Sequence, residues 1–108
     1  EFRRVLFRSA QLFEAAADAR HIESQFEIGY LYLKGKGVEK SDKKAFTWFE
    51  IAARNGHLHA QYLTGLCFLE GTGVEQSDEN AKYWFEIAAD NGDEESKEAL
   101  KLLQEKSE

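Results

Sequence analysis

The 108-residue chain holds a single cysteine, Cys67, so no disulfide can form within it. Many exported proteins also lack disulfides, so this leaves the compartment open. No apolar run is long enough to cross a bilayer, because charged residues interrupt the longest ones within a turn or two. Positive charge is scarce as well: 14 lysines and arginines face 20 aspartates and glutamates, a formal net charge of −6. An acidic surface repels phosphate backbones, whereas nucleic-acid binders draw affinity from lysine and arginine contacts, so nucleic acid is not an expected partner. No Gly-Lys-Ser/Thr follows any glycine loop, which excludes a phosphate-binding loop of that type.

Residues 1–9, Glu-Phe-Arg-Arg-Val-Leu-Phe-Arg-Ser, resemble the translation of a short-read sequencing adapter, and a regular pattern begins only after them. They are read as an adapter-derived, non-native segment and set aside. The segment carries Arg3, Arg4 and Arg8 against Glu1, so the remainder of the chain has a formal net charge of −8.

What the chain does have is a period. Its eight glycines and two tryptophans fall into pairs thirty-six residues apart: Gly29 and Gly65, Gly35 and Gly71, Gly37 and Gly73, Gly56 and Gly92, Trp48 and Trp84. Residues 25–60 and 61–96 agree at 18 of 36 positions. A period of this length marks a solenoid in which each unit buries its apolar face against the next.

Each unit reads as helix, glycine loop, helix and tight turn. An A helix is expected from about His21 to Lys34, with Ile22, Phe26, Gly29 and Leu33 on one face. A B helix is expected from about Asp42 to Asn55, where Ala45, Trp48, Phe49 and Ala52 share a face. The second unit repeats both, near His57–Glu70 and Asp78–Asn91. Gly35-Lys36-Gly37-Val38 and Gly71-Thr72-Gly73-Val74 end the A helices, with Val38 and Val74 read as plugs packing each loop onto its helix pair. Ser41-Asp42 and Ser77-Asp78 start the B helices, and Asn55-Gly56 and Asn91-Gly92 end them. Gly29 and Gly65 lie inside helices, where glycine costs about 1 kcal/mol relative to alanine. Close approach of the Trp48 or Phe49 side of the B helix, and of its counterpart in the next unit, is the expected compensation.

The organisation that follows is 1–9 as the adapter-derived segment and 10–20 as the C-terminal half of an upstream repeat. Then come a repeat over 21–56, a second over 57–92, and a capping helix over 93–108. Phe13-Glu14 and Ala16-Ala17 align with Phe49-Glu50 and Ala52-Ala53, which is why 10–20 reads as a truncated B helix. Lys101 replaces the interior glycine of the last A-type helix, and Lys97, Glu98, Gln104 and Glu105 give it a polar face suited to a cap.

These residues resemble the Sel-one-like repeats, abbreviated SLR, relatives of the tetratricopeptide repeats. The resemblance runs through Ala60-Gln61-Tyr62, Gly65, Phe68, Gly71-Thr72-Gly73-Val74, Ala81, Trp84, Ala88-Ala89 and Gly92, and again from Ser24-Gln25-Phe26 through Gly56. The 36-residue step and the Gly-x-Gly-Val loop separate it from the 34-residue tetratricopeptide unit. It implies an all-α fold, a right-handed α–α superhelix of SLR or tetratricopeptide-like type. It also implies an adaptor that holds other proteins together. Where that family often has aspartate three residues after the loop valine, Ser41 and Ser77 stand here, an equally good helix cap.

Chemistry is sparse. His57 and His59 are two apart on a helix and point to different sides, a poor metal-binding geometry; with His21 they read as surface at helix starts. Glu39 with Glu75 and Glu50 with Glu86 recur in register and read as solvated faces or contacts between units. Cys67 aligns with Leu31 and reads as a small apolar residue rather than a reactive thiol. Some cysteine-rich members of the resembled family resemble penicillin-binding or lactam-hydrolysing proteins, but those are stitched by paired cysteines, which a single Cys67 does not fit. No catalytic residue, cofactor or metal is expected.

A binding surface is expected instead, on the A-helix face. Glu23, Glu27, Tyr30 and Lys34 form a stripe on the first A helix; His59, Leu63, Leu66 and Glu70 form its counterpart on the second. The stripes differ while the packing positions agree. Tyr30, Leu63 and Leu66 are the expected anchors and Glu23, Glu27 and Glu70 the selectors for a basic protein or peptide partner. Trp48 and Trp84 are expected in the core. The alternatives are a lactam-binding or lactam-hydrolysing repeat protein and a purely structural spacer in a longer array.

Overall fold

The computed structural model describes residues 19–107, and within them five helices and no strand. The adapter-like segment and most of residues 10–20, expected to be part of an upstream repeat, lie outside the described residues. In chain order the helices are α1 (Ala19–Lys34), α2 (Asp42–Arg54), α3 (Leu58–Glu70), α4 (Asp78–Asp90) and α5 (Glu94–Ser107). α1 packs on α2, α2 on α3, α3 on α4 and α4 on α5, so each helix leans chiefly on its neighbours in sequence. This is the all-α solenoid: two antiparallel hairpins stacked in register and followed by one further helix.

Local chemistry sets the boundaries. Ser41 and Ser77 hold extended backbone, and each hydroxyl accepts from the amide three residues on, Lys44 and Asn80, at 3.1 Å. Asp42 and the pair Asp78 and Glu79 add negative charge to the first turns, complementing the helix dipole. The B helices stop one residue earlier than periodicity suggests, because Asn55 and Asn91 are caps rather than helical residues. His57 and Asp93 are likewise outside the helices that follow them.

The glycine loop is fixed at two points. Gly71 takes the left-handed conformation (φ 73°, ψ 34°), and its amide donates to the Cys67 carbonyl. Gly73 also has positive φ, and a Cβ there would collide with the Asp42 carbonyl of α2. The loop therefore lies directly on the start of the preceding B helix. Each loop then returns to its A helix: Ser41 N–H donates to Tyr32 O at 3.0 Å and Ser77 N–H to Phe68 O at 2.8 Å. Val74 packs against the core cluster from this loop. Val38 does not act as a plug, being exposed.

The core is a seam of alanines and phenylalanines. Ala45, Ala52, Ala60, Ala81, Ala88 and Phe85 are fully buried and Phe49 nearly so. Small residues let the helix axes approach; the phenylalanines fill what remains. Phe85 faces Gly65, where an added Cβ would stand 2.5 Å from the ring carbon Cε1, and Phe49 faces Gly29 at 2.8 Å from Cδ1. The sealed aromatic of each B helix is thus the phenylalanine next to the tryptophan. Trp84 is also buried and lines a depression shared with Phe68 of its own unit and Glu50 and Arg54 of the preceding one, whereas Trp48 is half-buried and outside the core cluster. Successive helical residues diverge by about 100°, so the phenylalanine meets its own A helix while the tryptophan turns toward the neighbouring unit.

Buried amides tie the layers together. Gln25 Oε1 accepts from Asn55 Nδ2 at 3.2 Å, and Gln61 Oε1 from Asn91 Nδ2 at 3.5 Å, each linking an A helix to the end of its own B helix. Gln61 Nε2 also donates to Ala53 O at 3.1 Å, reaching back to the B helix before it. Both glutamines are buried, so every one of these bonds replaces one to water.

Three outcomes follow from this packing. Gly65→Val should lower the melting temperature by about 10 °C or more, since overpacking costs about 1–3 kcal/mol and each kcal/mol shifts a domain of this size by about 4–8 °C. Circular dichroism melts check it, and a shift of under two degrees would refute the close-packing argument. Thr64 is fully buried, and its hydroxyl has no hydrogen-bond partner. Thr64→Val, which removes that group at nearly constant shape, should raise stability by about 1 kcal/mol. Burial, with smaller contributions from the Glu70 and Asp42 charges, pushes the Cys67 thiol from an ordinary value near 9 up to about 12. Folded protein at pH 8 should therefore resist iodoacetamide, read by intact mass, and react once denatured. Because the folded value is the raised one, this group's contribution is complete below pH 9 and is lost as pH climbs toward 12.

Candidate functional site

The A helices α1, α3 and α5 present a common face, opposite the B-helix layer. On it Glu23, Glu27, Tyr30, Lys34, His59 and Glu70 are exposed, whereas Leu63 and Leu66 are half-buried and packed against the core cluster. The two leucines are thus partly covered, whereas the charged groups are open to solvent.

An aromatic cluster joins α1 to α3 across this face. The Phe26 ring stacks on His57 at 4.4 Å between centroids, with His59 edge-on at 5.3 Å and Tyr30 at 6.1 Å. Tyr62 continues the line, 6.2 Å from His59. Lys34 Nζ sits 5.5 Å from the centre of the Tyr30 ring, so these two stripe residues engage each other.

His57 departs from the expectation of plain surface. It is the N-cap of α3: Nδ1 accepts from the Ala60 amide at 3.1 Å, which leaves the ring proton on Nε2, and Nε2 donates to Glu23 Oε1 at 2.9 Å. Asp93, one unit later, does the same capping task with a carboxylate, accepting from Ser96 N at 2.9 Å and from Ser96 Oγ at 2.6 Å. Glu23 is therefore committed to a contact between units and is less available to a ligand than Glu27 or Glu70. Sequence comparison concealed this, because histidine and aspartate look unrelated until their shared acceptor role is visible.

A second feature lies further along the same face. A groove of about 440 Å³ runs between α3 and α5, lined by Tyr62, Leu66 and Leu69 on one side and Ala99 and Leu102 on the other. Burial, and then the charges of Glu95, Asp93 and Glu70, raise the Tyr62 hydroxyl above its usual value. The register carried a signal for this groove, since Leu102 follows Leu66 and Ala99 follows Leu63 by thirty-six residues. On the B-helix side, Asp78, Glu79, Lys82 and Glu86 line a more polar depression against Leu100 and Leu103. Among the described residues, no three His, Cys, Asp or Glu side chains gather in a way that could hold a metal ion. No described helix is long and apolar enough to cross a membrane.

Comparison with known proteins agrees with this architecture. The Sel1 repeat matches residues 22–57 and 58–93, two consecutive 36-residue units. The structure is similar to that of a Sel1 repeat protein from Oxalobacter formigenes, at 38% identity and a TM-score of 0.73, covering 74% of this chain and 60% of that one. It is also similar to a protective antigen of uropathogenic Escherichia coli strains that displays an SLR fold, at 29% identity and a TM-score of 0.69, over 81% of this chain and 19% of that one. Cysteine-rich protein B of Helicobacter pylori shares the fold, at 24% identity and a TM-score of 0.72, over 85% of this chain and 71% of that one. No match was found among curated protein sequences. Repeats of this kind generally serve as protein–protein interaction modules and are typically non-catalytic. With two consecutive repeat units spanning most of the described residues, the chain belongs to the Sel1 repeat family.

Proposed function

We propose that this chain is a protein-interaction scaffold that captures a peptide or protein segment on the A-helix face and performs no catalysis of its own. The observation that carries this reading is the contrast between the two units. Positions that build the hairpin recur, including Gly29 with Gly65, Phe49 with Phe85 and Ala52 with Ala88, while the outward stripe changes from Glu23, Glu27, Tyr30 and Lys34 to His59, Leu63, Leu66 and Glu70. A surface maintained only for packing has no need of an exposed Tyr30 on one stripe and partly open Leu63 and Leu66 on the next. An apolar anchor with a charged rim is the composition of a binding hot spot.

The sign of the rim argues for a basic segment. Glu27 and Glu70 are exposed, whereas Lys34 lies over the Tyr30 ring. The net charge of −6 also works against nucleic acid as the ligand, since phosphate would meet a repulsive field.

The test is a quantitative pull-down comparing the wild-type chain with a Glu27→Lys, Glu70→Lys double variant and, separately, with Tyr30→Ala. All three positions are exposed, so the fold should persist. Proteins enriched by the wild type should fall at least tenfold with the double variant. Enrichment unchanged by all of these substitutions would place recognition elsewhere, and no enrichment over a bead control would favour a spacer role.

A further inference from the structure

The apolar positions of the A-helix face continue past α3 onto the last helix. α5 is otherwise charged, with Glu94, Glu95, Lys97, Glu98, Lys101, Glu105 and Lys106, yet Leu102 stands 58% exposed among them. Leu100 and Leu103 pack inward with Ala99, so the core is served without Leu102. Leu102 instead forms the outer lip of the groove whose opposite wall is Tyr62, Leu66 and Leu69.

The charges around this groove are arranged unevenly. Glu95 and Glu98 line it on α5, two turns and one turn before Leu102 respectively. Glu95, Asp93 and Glu70 all act on the Tyr62 hydroxyl, so the field there is negative from more than one element. The one cationic group in the lining, Lys106, is drawn to Asp78 at 3.4 Å. A groove with an aliphatic floor, an exposed leucine lip and an uncompensated pair of carboxylates is complementary to an apolar side chain with cations beside it.

We infer that the α3–α5 groove takes one large aliphatic or aromatic side chain of an extended peptide, whose neighbouring lysine or arginine residues pair with Glu95 and Glu98. The inference rests on the capture reading above and adds to it a pocket, a helix and the chemistry of the ligand. Outside residues 1–9, a second copy of this chain is a poor occupant, because that part carries a formal net charge of −8. The recognition is modular: the leucine lip sets the demand for an apolar anchor, and the carboxylates set the sign of its flanks.

The experiment uses the 108-residue chain and immobilised nonapeptides with Leu, Phe or Ser at the centre and Lys/Arg, Ser or Asp/Glu on the flanks. Fluorescence anisotropy then gives Kd for the best binders. Basic peptides with central Leu or Phe should be retained, and central Ser should weaken them at least tenfold. Leu102→Asp should abolish that binding, and Glu95→Lys with Glu98→Lys should transfer preference to the acidic flanks. Circular dichroism of each variant checks that these exposed substitutions leave the helices intact. Retention of acidic peptides by the wild type, or of no class above the Ser-flanked controls, overturns the inference. Binding that survives Leu102→Asp and the Glu95/Glu98 reversal but is lost with Glu27→Lys and Tyr30→Ala overturns the groove alone and leaves the capture reading standing. Sedimentation showing a dimer that Leu102→Asp dissociates would assign the groove to self-association instead.

Discussion

A missing methyl group governs this fold. At Gly65 the backbone of α3 comes so near the Phe85 ring that even a Cβ has no room, and Gly29 stands to Phe49 in the same way. Interior glycine costs about 1 kcal/mol in helix propensity. Sealing a phenylalanine side chain contributes about 1.5–3 kcal/mol, which exceeds that cost. The rest of the packing follows from the short separation it permits. Alanines suffice between the helices, and glutamine side chains are long enough to bridge A helix to B helix. The two hairpins also lock at a repeat of thirty-six residues rather than sliding.

Much of this was legible before any coordinates. The interior glycines, the Ser-Asp starts and the Asn-Gly ends each have a local physical cause, and repetition marks them as structural. Comparing a chain with itself finds what recurs. It is blind to roles filled by different chemistry, which is why His57 and Asp93 did not look like the same cap. It also gave both tryptophans one role, although Trp84 is buried and Trp48 only half-buried. Val38 and Val74 part for a similar reason: equal positions in a repeat have unequal neighbours.

The candidate site was legible only in outline. Side-chain spacing showed which residues share the outward stripe but not which of them already have partners. Glu23 bonds His57, Lys34 covers Tyr30, and His59 packs edge-on to Phe26, so Glu23, Tyr30, Lys34 and His59 are already engaged within the molecule. The charged groups left open to a ligand are Glu27 and Glu70. Leu63 and Leu66 are partly covered, and the open aliphatic group is Leu102, on a helix whose composition reads as a plain water-facing cap.

Gln61 has a geometric consequence beyond holding two layers together. Its amide group donates to the carbonyl at the end of one B helix and accepts from the asparagine after the next. Hydrogen bonds are directional, so a single planar group anchored on both sides dictates the angle through which one hairpin rotates onto its successor. In a longer array built from such units, curvature would be inherited from that amide plane. Surface residues could then diversify freely while the pitch of the superhelix stayed the same.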